Sequence, residues 1–477
     1  MDDVMEKANL SETESLCPVC LKRIKATRLL HGDEVFMVKE CEDHGSFKTV
    51  IWRGEPSITE WWRPKDPVHP DLCYGTVEKG CPFDCGLCEA HVQLPCSVLI
   101  EVTDRCNLHC AVCFADSGRG EARDPSLEKI TWLLERAMAA AGSSNLQLSG
   151  GEPTLRDDLS EIVEVARRIG YSFIQLNTNG LRLASDKEYL RRLHAAGLSS
   201  VFLQFDGVND EIYRSLRGRA LINQKLSAIK NCGEAGLGVV LVPTLVRGVN
   251  TDSIGAMVRQ ALQLAPTVRG IHFQPVSYFG RFPEESGDEG RLTLPELMRC
   301  LEEQTGSLIK VTDFSPPGTE HARCSFHATY MLSAEGGLRP LGAGEGGGCC
   351  QADLGAGGVR KTVETVSRHW RLPSAAPFFP SAPLPKEVPC CSGNSPDMTR
   401  VEDPFDLDVF LQEGAFRSFT LSAMAFQDVD NLDLERLRGC CISVLSQDGM
   451  LVPFCAYNLT SREGKGLYRR WDGLERQ

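Results

Sequence analysis

The chain lacks the features that would place it across a membrane or on nucleic acid. No apolar run among its 477 residues approaches the roughly 20 residues of a transmembrane helix. Lysine and arginine number 51 against 64 aspartates and glutamates, so the net charge of −13 disfavours a phosphate-backbone partner. The acidic, polar first residues have neither the basic start nor the apolar stretch of a secretory signal. We therefore expect a cytoplasmic protein that binds no nucleic acid, and peripheral contact with a membrane stays open.

Cysteine is missing from one long stretch and frequent on both sides of it. None of the 21 cysteines lies between Cys113 and Cys232, whereas most lie before residue 114 or after residue 299. A reducing cytoplasm disfavours disulfides, so the cysteines indicate metal ligation or catalysis. Metal chemistry at both ends therefore brackets a cysteine-poor middle.

The middle of the chain alternates between short apolar strands and amphipathic helices. The predicted strands are Val98–Val102, Asn145–Leu148, Phe173–Leu176, Val201–Phe205, Val239–Leu245 and Ile271–Gln274. The predicted helices are Ser126–Ala141, Arg156–Ile169, Asp186–Ala195, Leu221–Ala235 and Asp252–Leu264. This alternation predicts an α/β fold in which six parallel strands form a closed or partial (β/α)6 barrel with the helices outside. Ligands of such barrels meet the loops after the strands' C-terminal ends.

Composition divides the chain into four predicted regions. Residues 1–70 form a metal-binding ribbon, 71–97 a second cysteine-rich segment, 98–300 the barrel and 301–477 a cysteine-rich C-terminal region. Glycine and proline are dense over residues 335–396, which predicts loops or a mobile cover there.

Three cysteines follow the first predicted strand: Cys106, Cys110 and Cys113, spaced C-x3-C-x2-C. Three thiolates can hold three irons of a 4Fe–4S cube and leave the fourth iron open to a chelating ligand. The alternative is a zinc site that takes its fourth ligand from elsewhere.

A glycine-rich loop, Ser149-Gly150-Gly151-Glu152-Pro153, follows the second predicted strand. Two glycines permit close backbone approach, and an acid offsets an ammonium group. By itself the loop would be only a turn before a helix. Polar residues also follow the third and fourth strands, and they are either ligand contacts or turn formers: Asn177, Asn179, Gln204 and Asp206.

Together the two loops resemble the signature of radical S-adenosylmethionine (SAM) enzymes. The resemblance implies that SAM chelates the open iron and that one electron cleaves it to a 5′-deoxyadenosyl radical. It also implies that Gly150–Pro153 grips the amino group of SAM, that Val112 packs on the adenine, and that a reductant such as a ferredoxin or flavodoxin supplies the electron. Such a radical abstracts hydrogen from an unactivated carbon, whose C–H has no acidity for a general base to use.

The spacing C-x3-C-x2-C occurs a second time, at Cys81, Cys85 and Cys88. No glycine-rich partner loop accompanies this set, so we expect an auxiliary iron–sulfur cluster with Cys96 or Cys73 as the fourth ligand. Zinc is the competing metal.

A smaller site is predicted near the N-terminus. Cys17 and Cys20 precede a strand-rich spacer that leads to Cys41 and His44, which is typical of a ribbon held by one tetrahedral metal ion. His44 and Cys73 are both candidates for the fourth ligand. Spacing does not separate zinc from a rubredoxin-like mononuclear iron.

The remaining cysteines give weaker signals. Cys232 and Cys300 are expected in the core. The C-terminal cysteines permit one more cluster, although adjacent cysteines seldom both bind one metal: Cys324, Cys349, Cys350, Cys390, Cys391, Cys440, Cys441 and Cys455.

The segment from Cys17 through the barrel, with LERLRGCCISVLSQDGMLVPFCAYN near the C-terminus, resembles one group of radical SAM enzymes. The group includes tetraether lipid synthases, dihydro-hydroxymethylpterin methyltransferases and bacterial radical SAM (seleno)proteins. The resemblance implies carbon–carbon bond formation or methylation on a lipid-like or small-molecule substrate. Two alternatives stay open: an enzyme that modifies a peptide or protein, and a non-enzymatic iron–sulfur electron carrier.

Overall fold

The structure, a computed structural model, describes residues 8–118, 124–282, 287–333, 337–341, 356–373 and 417–469. Its N-terminal part is an antiparallel sheet whose strands pair in chain order: β1 (Ala8–Leu16), β2 (Arg23–His31), β3 (Glu34–Cys41) and β4 (Gly45–Arg53). Gly32 and Gly45 take positive φ at the turns after β2 and β3, a conformation that costs glycine little. The predicted strand-rich spacer is therefore the second and third strand of this sheet.

A twelve-stranded sheet follows, and nine of its strands pair in parallel with a neighbour. The strands are β5 (Ser97–Thr103), β6 (Asn145–Gly150), β7 (Ile174–Thr178), β8 (Ser200–Gln204), β9 (Gly238–Val242), β10 (Thr244–Leu245), β11 (Val268–Pro275), β12 (Ser325–Leu332), β13 (Leu338–Leu341), β14 (Ser418–Met424), β15 (Ile442–Leu445) and β16 (Leu451–Pro453). Their order across the sheet is β13-β12-β14-β11-β9-β8-β7-β6-β5-β15-β16, with β10 paired to β11.

Helices cover the sheet and supply the outer layer. They are α1 (Leu127–Ala141), α2 (Leu159–Ile169), α3 (Leu181–Ser185), α4 (Lys187–Ala195), α5 (Asp210–Arg217), α6 (Ile222–Glu234), α7 (Ile254–Gln263), α8 (Leu294–Gln304), α9 (Ala356–Trp370), α10 (Leu434–Arg438) and α11 (Phe454–Asn458). Their apolar faces and the strands form the main core, in which Ile130, Val163 and Leu297 are fully buried. No helix among the described residues is long and apolar enough to cross a bilayer.

All six predicted barrel strands are present, as β5 to β9 and β11. The predicted strand Val239–Leu245 is divided, because Pro243 interrupts it between β9 and β10. Proline has no N–H to give to a neighbouring strand, although the Pro243 carbonyl still accepts from Gln274 N at 3.0 Å.

The C-terminal region adds strands to both edges of the predicted barrel sheet. β14 pairs in parallel with β11, and β15 pairs in parallel with β5. Residues distant in the chain thus complete the sheet around the site.

One prediction about the glycine- and proline-rich stretch 335–396 is wrong. Its residues 356–370 form helix α9, which contacts β9, β11 and β14. The average composition of the stretch hides a run, VRKTVETVSRHW, in which apolar side chains recur at helical spacing. Residues 342–355 and 374–416 lie outside the described residues, and with them Cys349, Cys350, Cys390 and Cys391.

Candidate active site

The three cysteines of the first motif lie in the loop after β5. Arg281 donates from Nε to the Cys110 carbonyl at 2.6 Å, and the backbones of Cys113 and Arg281 exchange hydrogen bonds of 2.8 and 2.9 Å. Arg217 donates to the Val112 carbonyl at 3.0 Å. Two guanidinium groups therefore fix the loop by its carbonyl oxygens, and Cys106, Cys110, Val112 and Cys113 all line a cavity.

Burial raises the pKa of the Cys106 thiol to about 11. An unliganded Cys106 is therefore protonated at neutral pH and must release its proton when it binds a metal.

The glycine-rich loop after β6 packs on the cysteine loop. A Cβ on Gly150, whose φ is +131°, would lie 2.2 Å from the Thr103 carbonyl oxygen, and one on Gly151 would lie 2.4 Å from that of Arg105. The amides of Gly151 and Glu152 donate to these same two oxygens, at 2.8 Å each. We expected the glycines to let backbone approach a ligand, but the close approach that the structure shows is between the two loops.

Glu152 and Pro153 differ in their access to the cavity. The Glu152 carboxylate lines it and accepts from Thr178 Oγ1 at 2.7 Å and from the Asn179 amide at 2.7 Å. Pro153 is buried at the first position of a short 3-10 helix, where it needs no N–H partner, and it is outside the cavity lining. The acid therefore joins the loops after β6 and β7.

Two asparagines project from the end of β7 to the cavity wall. Asn177 donates to Gln147 Oε1 at 3.1 Å, and its own Oδ1 is buried without a hydrogen-bond partner among the described residues. Asn179 donates to Asn107 Oδ1 at 2.7 Å, within the cysteine loop. Asn177 therefore keeps an acceptor available to a ligand, whereas Asn179 positions the cysteine loop.

Gln204 and Asp206 follow β8, and they are placed differently. Gln204 lines the cavity and accepts from Lys225 Nζ at 2.8 Å. The Asp206 side chain is fully buried outside the cavity lining and pairs with Arg217 at 2.7 and 2.6 Å. The Asp206 carboxylate holds the guanidinium that supports the cysteine loop, and a ligand contact of Asp206 stays a prediction.

Lys225 is a site residue that the sequence did not reveal. It is fully buried on α6 and donates to the Asn179 carbonyl at 2.6 Å as well as to Gln204. Burial lowers the pKa of its ammonium group to about 7. Its position on a helix between ordinary core residues carries no motif, so only the packing of α6 shows its role.

The cavity has a volume of about 290 Å³ and runs from the cysteine loop down the barrel axis. Carboxamides from β6, β7 and β11 also line the cavity, and they were not predicted: Gln147, Gln175 and Gln274. Gln147 Nε2 lies 3.2 Å from Gln175 Oε1. Alternation along each strand places these side chains inward, a period-2 signal that was available in the sequence.

Aromatic side chains surround part of the deeper cavity. The ring centroids of Phe202 and His272 lie 5.4 Å apart, and Trp370 of α9 lies 5.6 Å from Phe202. Trp370 donates to Thr420 Oγ1 at 3.2 Å. Burial lowers the pKa of His272 to about 4, so this ring is neutral at physiological pH.

The N-terminal sheet brings its four predicted ligands together. The ligand atoms of Cys17, Cys20, Cys41 and His44 all lie within 4.8 Å of one another. His44 Nδ1 lies 3.5 Å from Cys41 Sγ and 3.7 Å from Cys17 Sγ. This donor set fits one tetrahedral zinc or iron ion, and His44 rather than Cys73 completes it.

Cys81, Cys85 and Cys88 line a small pocket with Arg438 and His91. Tyr468 braces this segment, since its hydroxyl donates to the Pro82 carbonyl at 2.6 Å and accepts from the Cys85 amide at 2.8 Å. The structure places Cys96 elsewhere, beside Cys441, with their Sγ atoms 3.1 Å apart. Cys73 is therefore the remaining candidate for a fourth ligand of this set.

The other C-terminal cysteines that the structure describes lie near α10, where Cys455 is buried and Cys324 and Cys440 are half-buried. Cys324 Sγ accepts from Arg436 at 3.2 and 3.4 Å, and Cys455 Sγ accepts from the Gln427 amide at 3.2 Å. Burial raises the pKa of Cys440 well above its usual value.

Comparison with known proteins relates this geometry to two domain families. Residues 100–261 match the radical SAM superfamily, and residues 9–53 match the HMPTM N-terminal zinc ribbon domain. The chain is 33% identical to the 7,8-dihydro-6-hydroxymethylpterin dimethyltransferase of Methanocaldococcus jannaschii, over 96% of this chain and 94% of that protein.

Other similarities are confined to part of the chain. A probable GTP 3′,8-cyclase of Methanothermobacter thermautotrophicus is 34% identical over 35% of this chain and 54% of its own length. The solved structure of Streptococcus suis SuiB bound to S-adenosylmethionine aligns with a TM-score of 0.38 and 16% identity, over 46% of this chain and 48% of that one.

Proposed function

The chain belongs to the radical SAM superfamily and, within it, to the family of the 7,8-dihydro-6-hydroxymethylpterin dimethyltransferase, and on that premise we propose that it is a radical SAM methyltransferase of a reduced pterin or a similar small heterocycle. The observation that carries the proposal is the near full-length relationship to that enzyme, combined with a cavity that joins the three-cysteine loop to these carboxamides.

Residues in the loops after the barrel strands have distinct roles in binding the cluster and SAM. Cys106, Cys110 and Cys113 would hold a 4Fe–4S cluster, while Glu152 and Asn177 would meet the polar groups of SAM and Val112 its adenine. When bound, the cluster and SAM supply the electron and the radical that take hydrogen from the substrate. Arg217 and Arg281 orient the cysteine loop through its carbonyl oxygens.

The cavity supports a small substrate. Gln147, Gln175 and Gln274 offer donors and acceptors, as the edge of a heterocycle requires, and Phe202 and Trp370 offer flat apolar surfaces. A lipid chain would offer no hydrogen-bonding groups to these carboxamides.

Additional metals belong to the proposal. We assign zinc or a mononuclear iron to Cys17, Cys20, Cys41 and His44, and an auxiliary iron–sulfur cluster to Cys81, Cys85 and Cys88 with Cys73. The electron donor we propose is a ferredoxin or flavodoxin, in the cytoplasm, where reduced thiols persist.

Formation of 5′-deoxyadenosine tests the radical chemistry. The protein is reconstituted without oxygen, reduced with dithionite and supplied with SAM, and the nucleoside is quantified. We expect it from the wild type and from Cys300→Ala, whose thiol lies on α8, and none from Cys106→Ala. Equal yields from all three proteins would refute the assignment of Cys106.

Methyl transfer tests the substrate class. The reduced and reconstituted protein receives SAM and 7,8-dihydro-6-hydroxymethylpterin, and the mass of the pterin is followed. We expect mass increases of whole methyl groups that Cys106→Ala does not give. If lipid extracts gain mass instead, or if only a peptide does, the pterin proposal is wrong while the radical chemistry stands.

A further inference from the structure

The end of the barrel opposite the radical loop contains a second group of metal-binding side chains. Cys96 immediately precedes β5, Cys441 immediately precedes β15, and these two strands pair in parallel. The Cys96 amide donates to the Cys441 carbonyl at 2.8 Å, which fixes the two backbones side by side. Glu320 joins them, so that the carboxylate and both sulfurs lie within 4.8 Å of one another.

The geometry of this group suits one ion better than a cluster or a pair of thiols. Two thiolates on a tetrahedral zinc lie roughly 3.8 Å apart, given Zn–S bonds of about 2.3 Å. The observed separation of 3.1 Å needs only a small outward shift. Thiolates on one iron–sulfur cube bind different irons and must lie farther apart than ligands of a single ion.

Unpartnered polar atoms nearby indicate a ligand at the same place. Ser97 Oγ and Asn145 Oδ1 are buried without hydrogen-bond partners among the described residues, and both residues line the cavity together with Cys96 and Glu320. A buried polar group without a partner costs about 1–3 kcal/mol, so each such group needs an explanation. A bound ion with a water or substrate atom on it would supply the missing partners.

The surrounding charge also fits a divalent cation. Two thiolates and one carboxylate would place three negative charges in a largely buried volume. The Lys65 ammonium group is buried without a hydrogen-bond partner among the described residues, and the charges of Glu320 and Cys441 act on it. One divalent ion with Lys65 balances the three anions, and ion binding releases the two thiol protons to solvent.

We propose that Cys96, Cys441 and Glu320 bind one thiophilic divalent ion, such as zinc, at the closed end of the barrel cavity, with the fourth coordination position facing the cavity. Three protein ligands with one open position are the arrangement of zinc sites that bind substrate. The ion therefore anchors an oxygen or nitrogen atom of the substrate at the end distant from Cys106. This substrate role rests on the proposed function, whereas the metal site itself does not.

Metal content tests the site without any activity measurement. Anaerobically purified and reconstituted wild type, Cys441→Ser and Glu320→Gln are compared for zinc, iron and sulfide per chain, with Cys300→Ser as the matched cysteine control. We expect Cys441→Ser to lose one zinc equivalent with iron and sulfide unchanged. Glu320→Gln, which keeps both thiols, should weaken zinc binding at least tenfold in competition with a chelator, and Cys300→Ser should match the wild type.

Three results would overturn the proposal. Unchanged zinc in both Cys441→Ser and Glu320→Gln would show that no ion is held there. A loss of about four irons and four sulfides in Cys441→Ser would show a cluster instead. A disulfide between Cys96 and Cys441 in the anaerobic wild type, found by peptide mass, would show a redox pair. Formation of 5′-deoxyadenosine without substrate is measured in parallel. If the wild type holds the zinc but does not cleave SAM, the proposed function is wrong and the metal site stands.

Discussion

At the scale of single residues, the support of the cysteine loop depends on a buried ion pair. Arg217 is 6% exposed and Asp206 fully buried, and the guanidinium joins that carboxylate to the Val112 carbonyl. The desolvation of both charges is costly, but removal of one partner leaves the other uncompensated. Sequence reasoning found Asp206 as a strand-end acid and missed Arg217, because α5 positions the arginine only in the folded chain.

Arg217→Met is expected to destabilise the protein by about 3–5 kcal/mol, because Asp206 remains charged and buried. The measurement is thermal unfolding of the reconstituted protein. The double variant Asp206→Asn with Arg217→Met should recover much of the loss, since it removes the orphaned charge. A double variant no more stable than the single one would contradict this account.

Lys225 gives the stability a defined pH dependence. Burial lowers its pKa from 10.5 to about 7, so the unfolded chain binds more protons than the folded chain between these values. Burial of the charged Lys225 amine therefore lowers the free energy of unfolding by its full amount below pH 7. This loss of stability disappears as the pH rises toward 10.5. Thermal unfolding should show the wild type gaining stability relative to Lys225→Met over this range.

The control for that pH series is Lys230→Met, because Lys230 lies exposed on the same helix. Its stability relative to the wild type should stay constant with pH. A wild-type curve parallel to that of Lys225→Met would show that the buried amine does not titrate in this range.

At the scale of elements, α9 forms part of the cavity wall. Thr362, Val366 and Trp370 contact the cavity from this one helix. The composition of residues 335–396, averaged over glycine- and proline-rich neighbours, predicts loops where this helix lies. The helix is held by tertiary contacts, such as the hydrogen bond from Arg269 Nε to the His369 carbonyl at 3.0 Å.

Trp370→Ala is expected to separate substrate turnover from SAM binding. The indole contacts Phe202, His272 and Thr420, and none of these residues belongs to the cysteine loop. The dissociation constant of SAM, measured by calorimetry, should therefore stay unchanged while methylated product falls at least tenfold. Trp370→Phe should retain most product, and product from Trp370→Ala equal to that of the wild type would remove α9 from the site.

The N-terminal sheet is expected to depend on its metal ion. Cys41→Ser removes one ligand of four, so this variant should lose one metal equivalent per chain, measured by elemental analysis. Proteolysis within β1–β4 should rise at least tenfold, which corresponds to about 1.4 kcal/mol of lost local stability. Cys300→Ser serves as control. Unchanged metal content in Cys41→Ser would contradict the assignment.

At the scale of the whole molecule, the C-terminal region is part of the barrel architecture. β14 and β15 flank the predicted six strands, and the ribbon packs on the same region through Arg28, which pairs with Asp433 at 2.7 Å. Lys39, also buried, donates to the Val429 carbonyl at 2.7 Å. These contacts join the N-terminal ribbon to the C-terminal region.

A chain that ends at residue 416 is therefore expected to be insoluble, because it exposes the edges and apolar faces that β14 and β15 cover. Co-expression of residues 417–477 should restore soluble protein in which both fragments purify together. Soluble 1–416 that binds SAM as the whole chain does would show that the barrel is independent of its C-terminal strands.

The sequence by itself determined the three-cysteine loop, the glycine-rich loop, the ribbon ligands and six parallel strands. Each of these is encoded locally, in the spacing of a few cysteines or in an apolar period that a strand or helix imposes on its own residues. The family confirmed by the near full-length relative follows from those local patterns.

Only the tertiary structure decided which distant residues meet. Cys96 and Cys441 are 345 positions apart, yet their sulfurs lie 3.1 Å from each other because β5 and β15 pair. Arg217 and Trp370 likewise reach the cavity only through the packing of α5 and α9. Lys225 meets the cavity-lining Gln204 only through the packing of α6. Strand pairing and helix packing minimise the free energy of the whole chain, and no local sequence pattern specifies which pairing has the lowest free energy.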